Sequence, residues 1–391
     1  MRSRILFSRS ARWLPPALAA AIVLATMGCQ EDAASPTAPG ESTPALTTAA
    51  AGALAFRQVS GGDTHTCGVT TSDLAYCWGL GGRLRPAPVS GGLRFLEVSA
   101  GVDNTCGVTT NHRVYCWGTD LTPAEVPGGR RFRQVSVGLE YVCAVTPTDV
   151  AFCWGNNQFG RMGTGGGSSS TPVRVAGGLR FRRVFTAASH TCGATTDNRA
   201  YCWGSNAFFQ LGDGTPVKER PRPVAVLGGL RFRQVKPGSA FPAGLNPPEF
   251  DTGLTCGVTT DDRAYCWGGH GALGSEIELA KTPAAVAGGR RFNFVHPGLF
   301  HACALTLFDV AFCWGSNENG QLGTGGGSSR TPVRVAGGLR FEGLTVARTG
   351  WHTCGVTADH RAYCWGRNEA GQLGDGTRIS RPKPVAVAGP M

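Results

Sequence analysis

Seven cysteine pairs with one fixed spacing constrain the fold of this chain more than any other feature. In each pair the second cysteine lies ten positions after the first, within the phrase Tyr/Phe-Cys-Trp-Gly. The pairs are Cys67 and Cys77, Cys106 and Cys116, Cys143 and Cys153, Cys192 and Cys202, Cys256 and Cys266, Cys303 and Cys313, and Cys354 and Cys364. A phrase that recurs seven times indicates a repeat architecture, in which copies of one small unit pack side by side.

Each repeat contains the sequence of four short strands. In the fourth copy we predict strands at residues 179–184, 191–195, 199–204 and 223–226, with turn residues between them. Glycine accounts for 58 of the 391 residues and only 16% are charged, a composition typical of short strands joined by tight turns. Seven four-stranded antiparallel units predict an all-β fold, a seven-bladed β-propeller, because radial closure removes long exposed sheet edges.

The cysteine spacing predicts one disulfide in each blade. A hairpin centred between the two cysteines places them opposite each other, at about 4.5–5.5 Å between Cα atoms, which a disulfide tolerates. Zinc sites are the alternative, but they usually bring two ligands close together in sequence, and no Cys-x-x-Cys occurs here. Disulfides in turn indicate an oxidising compartment. Tyr201 and Trp203 share the other face of their strand and are expected to pack in the core.

The two ends of the repeat region suggest how the ring closes. The region opens with strand one at residues 54–59 and ends with strand four at residues 384–387. Joined head to tail, these segments would regenerate an internal junction between repeats. We therefore predict that the C-terminal strand completes the first blade and closes the ring.

The N-terminal residues have the pattern of an export signal. Four arginines precede an apolar run from Leu14 to Met27, which is too short for a comfortable membrane span. The run ends at Cys29 in a sequence that resembles a bacterial lipobox, so residues 1–28 are predicted to be a signal peptide and Cys29 a lipidation site. Gln30 then implies an outer-membrane or cell-surface lipoprotein. Thr26 stands where such signals usually carry leucine, so a periplasmic or secreted protein is the alternative.

Residues 29–50 are rich in Ala, Pro, Ser and Thr and are predicted to form a flexible tether before the propeller at 51–391. The formal net charge is +11, and the basic residues are spread through the repeats rather than gathered in a run. An exported protein with this distribution is not expected to bind nucleic acid; a solvated basic surface with some affinity for anionic glycans or lipids is expected.

The repeats resemble those of the regulator-of-chromosome-condensation family. The matching phrases are Gly350-Trp351-His352-Thr353-Cys354, Tyr363-Cys364-Trp365-Gly366 and residues 368–377, NEAGQLGDGT. The resemblance covers about residues 54–389 and implies seven-bladed propellers. The cysteine pairs are an addition to the family pattern. Copies one and two lack the Gly-Gln-Leu-Gly phrase, so those blades are expected to be shortened on one side.

No motif for catalysis, a cofactor or a metal is recognisable. His65, His190, His301 and His352 stand two positions before the first cysteine of their repeats. A ring of them around the axis could suggest a metal, but ligands must lie within about 2.0–2.2 Å of one ion, which residues on separate blades rarely achieve. The resemblance implies that they form buried hydrogen bonds. Asp213 and Asp375 could bind calcium, but Asp-Gly is first a turn signal.

The order of the strands places every long connection on one face of the propeller. The fifth repeat alone carries an insertion there, residues 237–253, and we predict Phe241, Leu245 and Phe250 as a candidate binding loop. The alternative is that the insertion plugs the axial opening or packs on a neighbouring loop.

We therefore expect an exported, lipid-anchored, monomeric module that binds a protein or a glycan through its long-loop face and is not an enzyme. One alternative is a polysaccharide lyase or hydrolase, which would need paired carboxylates. Glu249, Asp251, Glu276 and Glu278 are the acidic candidates near the fifth blade. Another alternative is a secreted enzyme inhibitor, since the family that the chain resembles includes one.

Overall fold

Seven antiparallel sheets follow one another along the chain, each built from four consecutive strands. The computed structural model describes residues 52, 54–238, 253–269, 272–347 and 350–390. These residues belong to one unit that extends from Ala49 to Met391. We call the sheets blades one to seven, and they confirm the predicted seven-bladed β-propeller.

The strands are numbered in chain order. Blades one to three contain β1 (Phe56–Gly61), β2 (Thr66–Thr70), β3 (Ala75–Trp78), β4 (Ala87–Pro88), β5 (Phe95–Ala100), β6 (Thr105–Thr109), β7 (Val114–Trp117), β8 (Ala124–Glu125), β9 (Gln134–Val137), β10 (Tyr141–Val145), β11 (Ala151–Gly155) and β12 (Ser169–Arg174). Blades four and five contain β13 (Phe181–Thr186), β14 (His190–Thr195), β15 (Ala200–Ser205), β16 (Glu219–Ala225), β17 (Phe232–Pro237), β18 (Leu254–Thr259), β19 (Ala264–Gly269) and β20 (Leu279–Ala285). Blades six and seven contain β21 (Phe292–Pro297), β22 (His301–Thr306), β23 (Ala311–Gly315), β24 (Ser329–Arg334), β25 (Phe341–Val346), β26 (His352–Thr357), β27 (Ala362–Gly366) and β28 (Arg381–Ala386).

Helix is confined, in the described ranges, to three short 3₁₀ turns at Leu80–Gly82, Ser90–Gly92 and Gln158–Gly160. Across those ranges no helix is long and apolar enough to cross a membrane. In blades one and two the fourth strand has only two residues, and the connection that precedes it is short. The predicted shortening of these two blades is therefore confirmed.

One disulfide joins the second and third strands of every blade, as predicted. The two cysteines of each pair are direct partners in the strand register, and their Cα atoms lie 4.0–4.1 Å apart. The seven bonds join Cys67 to Cys77, Cys106 to Cys116, Cys143 to Cys153, Cys192 to Cys202, Cys256 to Cys266, Cys303 to Cys313, and Cys354 to Cys364. All of these cysteines but Cys116 are buried. The hairpin spacing of ten residues is what places the two side chains on the same face at the same level.

Blades three to seven each contact the next blade through the connection between their third and fourth strands. The carbonyl of Gln321 in blade six accepts a hydrogen bond from the indole Nε1 of Trp365 in blade seven at 2.9 Å. Gly323 has a φ of +71° and lies against the same indole, where a Cβ atom would be 2.7 Å from Nε1. The Gly-Gln-Leu-Gly phrase therefore joins neighbouring blades, and the tryptophan of the Cys-Trp-Gly phrase is buried beneath it. We call the boundary between consecutive blades a seam.

Closure of the ring differs from the prediction. β28 pairs with β27 in blade seven and does not complete blade one, because the residues Ala87–Pro88 already supply the fourth strand there. The last seam is instead closed by packing and by loop contacts. Val385 and Val387 pack against the buried cluster that includes Phe56, and the amide of Phe56 donates a hydrogen bond to the carbonyl of His360 at 2.7 Å.

Two faces follow from this topology. The connections from strand one to two and from strand three to four emerge on the long-loop face. The connections from strand two to three, and from strand four to the next blade, emerge on the short-turn face. Strand one of each blade is the innermost strand, so the seven first strands surround the axis.

Candidate functional site

The four histidines two positions before the cysteines lie at the seams rather than in one cluster. Each is buried, and its Nε2 atom lies 2.9–3.0 Å from the hydroxyl of a threonine in the next blade. The pairs are His65–Thr105, His190–Thr255, His301–Thr353 and His352–Thr66. In blade three Tyr141 takes the place of the histidine, and its hydroxyl lies 2.9 Å from that of Thr191.

The seam between blades four and five shows how such a histidine is held. The hydroxyl of Thr255 donates to the carbonyl of Gln210 at 2.7 Å, so it accepts the bond from His190. Nε2 of His190 therefore carries the proton, and Nδ1 has no hydrogen-bond partner in the described part of the chain. Burial lowers the pKa of His190 to about 3, because the charged imidazolium would lose its hydration. Burial likewise lowers the pKa values of His301 and His352 to about 3 and that of His65 to about 4.

Asp213 and Asp375 have the turn role that the Asp-Gly sequence predicts. The carboxylate of Asp213 accepts hydrogen bonds from the amide and the hydroxyl of Thr215 and from Arg220, whose Nε lies 3.0 Å away. Asp375 bonds to Thr377 and Arg381 in the same way. Within the described ranges, no group of three or more His, Cys, Asp or Glu residues is placed to hold a metal ion.

A channel along the axis is lined by the first strands of all seven blades and encloses about 270 Å³. In blades one, two, three and seven a hydroxyl near the end of strand one accepts the amide of the next blade's inner strand at 3.0–3.3 Å. These hydroxyls belong to Ser60, Ser99, Ser136 and Thr345. Gln134 adds two bonds across its seam, to the amide and carbonyl of Val184. This part of the channel is a regular hydrogen-bonded wall.

The wall changes in blades four to six, where Phe185, Lys236 and His296 occupy the position of the hydroxyl residue. Nζ of Lys236 lies 2.5 Å from Nε2 of His296 and 4.5 Å from the ring centroid of Phe185. The ring of Phe294 lies 5.1 Å from that of His296. Blades four to six therefore line one side of the channel with a cation and aromatic rings.

Glu97 and Arg183 join the two parts of the wall. One carboxylate oxygen of Glu97 accepts from the amide of Val135 at 2.7 Å, and the other accepts from Arg183 at 2.7 Å. Burial raises the pKa of Glu97 above its ordinary value, and the charge of Arg183 opposes that shift. The ion pair therefore spans the channel from blade two to blade four.

The connections between strands one and two form a ring around the axis on the long-loop face, which we call the axial mouth. The described part of the ring includes residues 62–65, 101–104, 298–300 and 350–351. Neighbouring loops touch; the amide of Asp63, for example, donates to the carbonyl of Gly101 at 3.1 Å. The rings of Phe300 and Trp351 stack at 5.1 Å on one side of the mouth, and both are half-buried.

The other side of the mouth is acidic. Burial raises the pKa of Asp63 to about 6; the charge of Arg367 lowers it, and that of Asp103 raises it. Asp103 is exposed. The mouth thus combines aromatic surface with carboxylates, above a channel that carries Lys236.

The insertion predicted to bind a partner begins and ends at this mouth. Gly238 and Gly253 are its described ends, and the amide of Gly238 donates to the carbonyl of Leu254 at 2.7 Å. Phe241, Leu245 and Phe250 lie outside the described residues, as do Glu249, Asp251 and Cys29. These predictions remain predictions.

Glu276 and Glu278, the acidic candidates for an enzyme, are exposed side chains beside Arg330. Their carboxylates lie 3.9 Å and 3.0 Å from its guanidinium. An arginine that pairs with both carboxylates accounts for their proximity, and neither residue lines the axial channel.

Sequence reasoning missed the irregular side of the channel and the axial mouth. The signal was present, because the residue four positions after the phenylalanine that opens each repeat is Ser or Thr in four copies and Phe, Lys or His in the other three. The stacked pair of Phe300 and Trp351 had no such signal, since it depends on which loops meet at the axis.

The repeats of this chain match those of a known family. Profiles described as Regulator of chromosome condensation (RCC1) repeat match residues 149–194, 310–356 and 359–391, and, for a second profile, residues 56–83, 95–120 and 188–210. The chain is 28% identical to the Ultraviolet-B receptor UVR8 of Arabidopsis thaliana over 176 residues, which are 44% of this chain and 37% of the receptor.

It is 31% identical to the human E3 ubiquitin-protein ligase HERC2 over 176 residues, which are 43% of this chain and 3% of the ligase. The chain thus matches well under half the length of either relative. Among solved structures, human WBSCR16 superposes with a TM-score of 0.65 at 18% identity, over 75% of this chain and 84% of that chain. The structural likeness concerns the fold alone.

Proposed function

Because the chain belongs to the regulator of chromosome condensation (RCC1) repeat family, we propose that it is an interaction module that binds a protein partner at the axial mouth. We further propose that it is exported and held by a lipid on Cys29 at an outer membrane or cell surface. Its relatives include a receptor and an E3 ubiquitin-protein ligase by name, and neither activity is assigned to this chain.

Two features support export. Each of the seven blades contains a disulfide between strands two and three, and disulfides persist in oxidising compartments and are rare in the cytosol. The basic and apolar N-terminal residues that end at Cys29 have the pattern of a lipoprotein signal. A tether of about twenty residues, 29–50, would keep the propeller clear of the bilayer.

The observation that carries the binding proposal is the composition of the axial mouth. Phe300 and Trp351 offer a stacked aromatic surface, and Asp63 and Asp103 offer carboxylates beside it. Interfaces between proteins are enriched in aromatic residues at their centres and polar at their rims. Asp63, Phe300 and Trp351 come from three different blades, so the mouth brings side chains of several blades together.

Cross-linking on intact cells tests this proposal. The full chain is compared with Trp351→Ala and Asp103→Lys, and with the control variants Ile379→Ala and Asp120→Lys, which change exposed residues of the same face farther from the axis. We expect one protein to be recovered with the wild type and the controls, and at least tenfold less of it with either mouth variant. Thermal unfolding checks that the variants are folded.

Equal recovery with all five chains would refute the axial mouth as the binding site. If the mouth variants recover less of a glycan and no less of any protein, the ligand of the mouth is a glycan and the proposed protein partner is wrong. A variant that lacks residues 238–252 belongs to the same experiment, because undiminished recovery would remove the insertion from the site.

A further inference from the structure

Blade six has an apolar turn on the short-turn face where every other blade has a polar one. Between strands two and three it carries Leu307 and Phe308, which are 45% and 76% exposed. The corresponding pairs are Thr71-Ser72, Thr110-Asn111, Pro147-Thr148, Thr196-Asp197, Thr260-Asp261 and Ala358-Asp359. Phe308 has the largest exposed fraction among the large hydrophobic side chains of the described residues. Two adjacent exposed apolar side chains with basic residues around them indicate a contact surface.

Four exposed arginines surround this turn and line, with it, a shallow cavity of about 590 Å³. They are Arg290, Arg291, Arg334 and Arg340. The guanidinium of Arg290 stacks on Phe312 at 4.4 Å, and that of Arg340 donates to the carbonyl of Phe308. Within the described part of the chain none of the four forms an ion pair with a carboxylate. Contacts with the protein thus hold Arg290, Arg291 and Arg340 without an ion pair, although the charge of Arg291 contributes to lowering the pKa of Asp261. Asp309 is the carboxylate of the turn itself.

Blade three has arginines in equivalent positions around its turn, but the turn itself is not apolar. Arg130 stacks on Phe152 at 4.1 Å, and Arg180 donates to the carbonyl of Thr148. The turn itself reads Pro147-Thr148. The arginines are therefore a feature shared by two blades, and the apolar residues are what distinguish blade six.

We propose that the short-turn face docks on an anionic phospholipid bilayer, with Leu307 and Phe308 entering the headgroup boundary and the arginines binding lipid phosphates. A phenylalanine at the apex of a turn fits a surface that it can penetrate, whereas a protein groove would require a partner built around it. Arginines recognise phosphate oxygens well because the guanidinium offers several N–H donors in one plane.

The distribution of charge over the face supports a planar partner. Arg94, Arg231 and Arg291 each donate to a carbonyl in the turn of the preceding blade, as Arg340 does. Basic side chains are therefore spread over the short-turn face, and a flat anionic surface can meet several of them at once. Docking in this way would turn the axial mouth away from the bilayer. The inference concerns the opposite face to the proposed function and does not rest on it.

Vesicle flotation tests the proposal with the mature chain, residues 29–391 carrying Cys29→Ser, so that neither the predicted lipid nor the basic and apolar residues 1–28 can bind the vesicles. The vesicles are phosphatidylcholine alone or with about one third phosphatidylglycerol. We expect at least tenfold tighter binding to the anionic vesicles, weakened by added salt because the attraction is screened. Replacing the turn by that of blade three, Leu307→Pro with Phe308→Thr, should remove most of this preference.

Three further double variants complete the design. Pro147→Leu with Thr148→Phe places the apolar turn among the arginines of blade three and should raise binding to anionic vesicles above that of the wild type. Lys218→Gln with Arg378→Gln removes two exposed charges from the long-loop face and should leave binding unchanged, whereas Arg291→Gln with Arg334→Gln should weaken it severalfold. Unchanged melting temperatures would exclude misfolding.

Several outcomes would overturn the proposal. Equal binding to neutral and anionic vesicles would do so, as would full binding by the chain with the blade-three turn. A different loss would identify the turn as a protein site. In that case the chain with the blade-three turn would still bind vesicles but would no longer bind a soluble acidic polypeptide that the wild type binds.

Discussion

Replacement of His190 by leucine should make the protein less stable than the wild type at pH 7 and more stable than the wild type at pH 5. Leucine is the residue that the chain itself has at the equivalent position of blade five, Leu254. At pH 7 the variant loses the hydrogen bond to Thr255, which costs about 1 kcal/mol of unfolding free energy. At this pH the histidine is neutral in both the folded and the unfolded chain, so titration contributes little.

At pH 5 the titration of His190 dominates. Its pKa is about 3 in the folded protein and about 6.5 in the unfolded chain, so between these values the unfolded chain binds the additional proton. The wild type therefore loses stability as the pH falls, by about 2 kcal/mol at pH 5 from this residue. The leucine variant lacks this loss and should be about 1 kcal/mol more stable than the wild type at pH 5, with the two curves crossing near pH 6.

Urea unfolding followed by tryptophan fluorescence, with the disulfides intact, measures this difference at both pH values. The raised pKa of Asp63 acts on both proteins and cancels. Tyr141→Phe is the matched control, because it removes the bonds that the tyrosine hydroxyl forms across its seam with Thr191 and the carbonyl of His190, without a group that titrates between pH 5 and 7. Its destabilisation should be the same at both pH values. If His190→Leu also destabilises equally at pH 5 and pH 7, the histidine is not held neutral by burial and the reasoning is wrong.

Three further changes test the seams and the blades. Gly323→Ala should destabilise by about 2 kcal/mol or more, because the residue has a φ of +71° and its Cβ would lie 2.7 Å from the indole of Trp365; thermal unfolding measures this. Replacing Cys354 and Cys364 together by alanine should cost about 2–3 kcal/mol, as the shift of a urea midpoint, for a loop of this size. Gln134→Ala removes both of its hydrogen bonds across a seam and should cost about 1–3 kcal/mol, with faster amide exchange at the next blade's inner strand.

The blades could be predicted because their determinants are local. The spacing from Cys354 to Cys364 fixes a hairpin register within eleven residues, and that register recurs in every copy. Ring closure could not be predicted in the same way. β28 could pair with β27 or with blade one. The outcome depends on whether the short segment at residues 87–88 forms a strand that occupies the outer edge of blade one. Two residues carry too little pattern to decide that.

The candidate site could be predicted from the sequence only in part. The replacement of serine by Phe185, Lys236 and His296 is visible when the seven copies are aligned, but its meaning depends on knowing that strand one faces the axis. Phe300 and Trp351 come from loops of different blades and meet only in the closed ring. Contacts of that kind have no signature in sequence spacing.

The seam hydrogen bonds also restrict which blade can follow which. A histidine or tyrosine at the end of one blade is always met by threonine in the next, whereas Asn104 is followed by Val142 and Leu254 by Ala302. If blade six were placed directly after blade four, His190 would face Ala302 and its buried N–H would lose its acceptor, at a cost of about 1–3 kcal/mol. Near-identical repeats risk joining in the wrong order during folding. In this chain the polar pairs therefore disfavour blade three or blade six directly after any blade that carries the histidine or tyrosine.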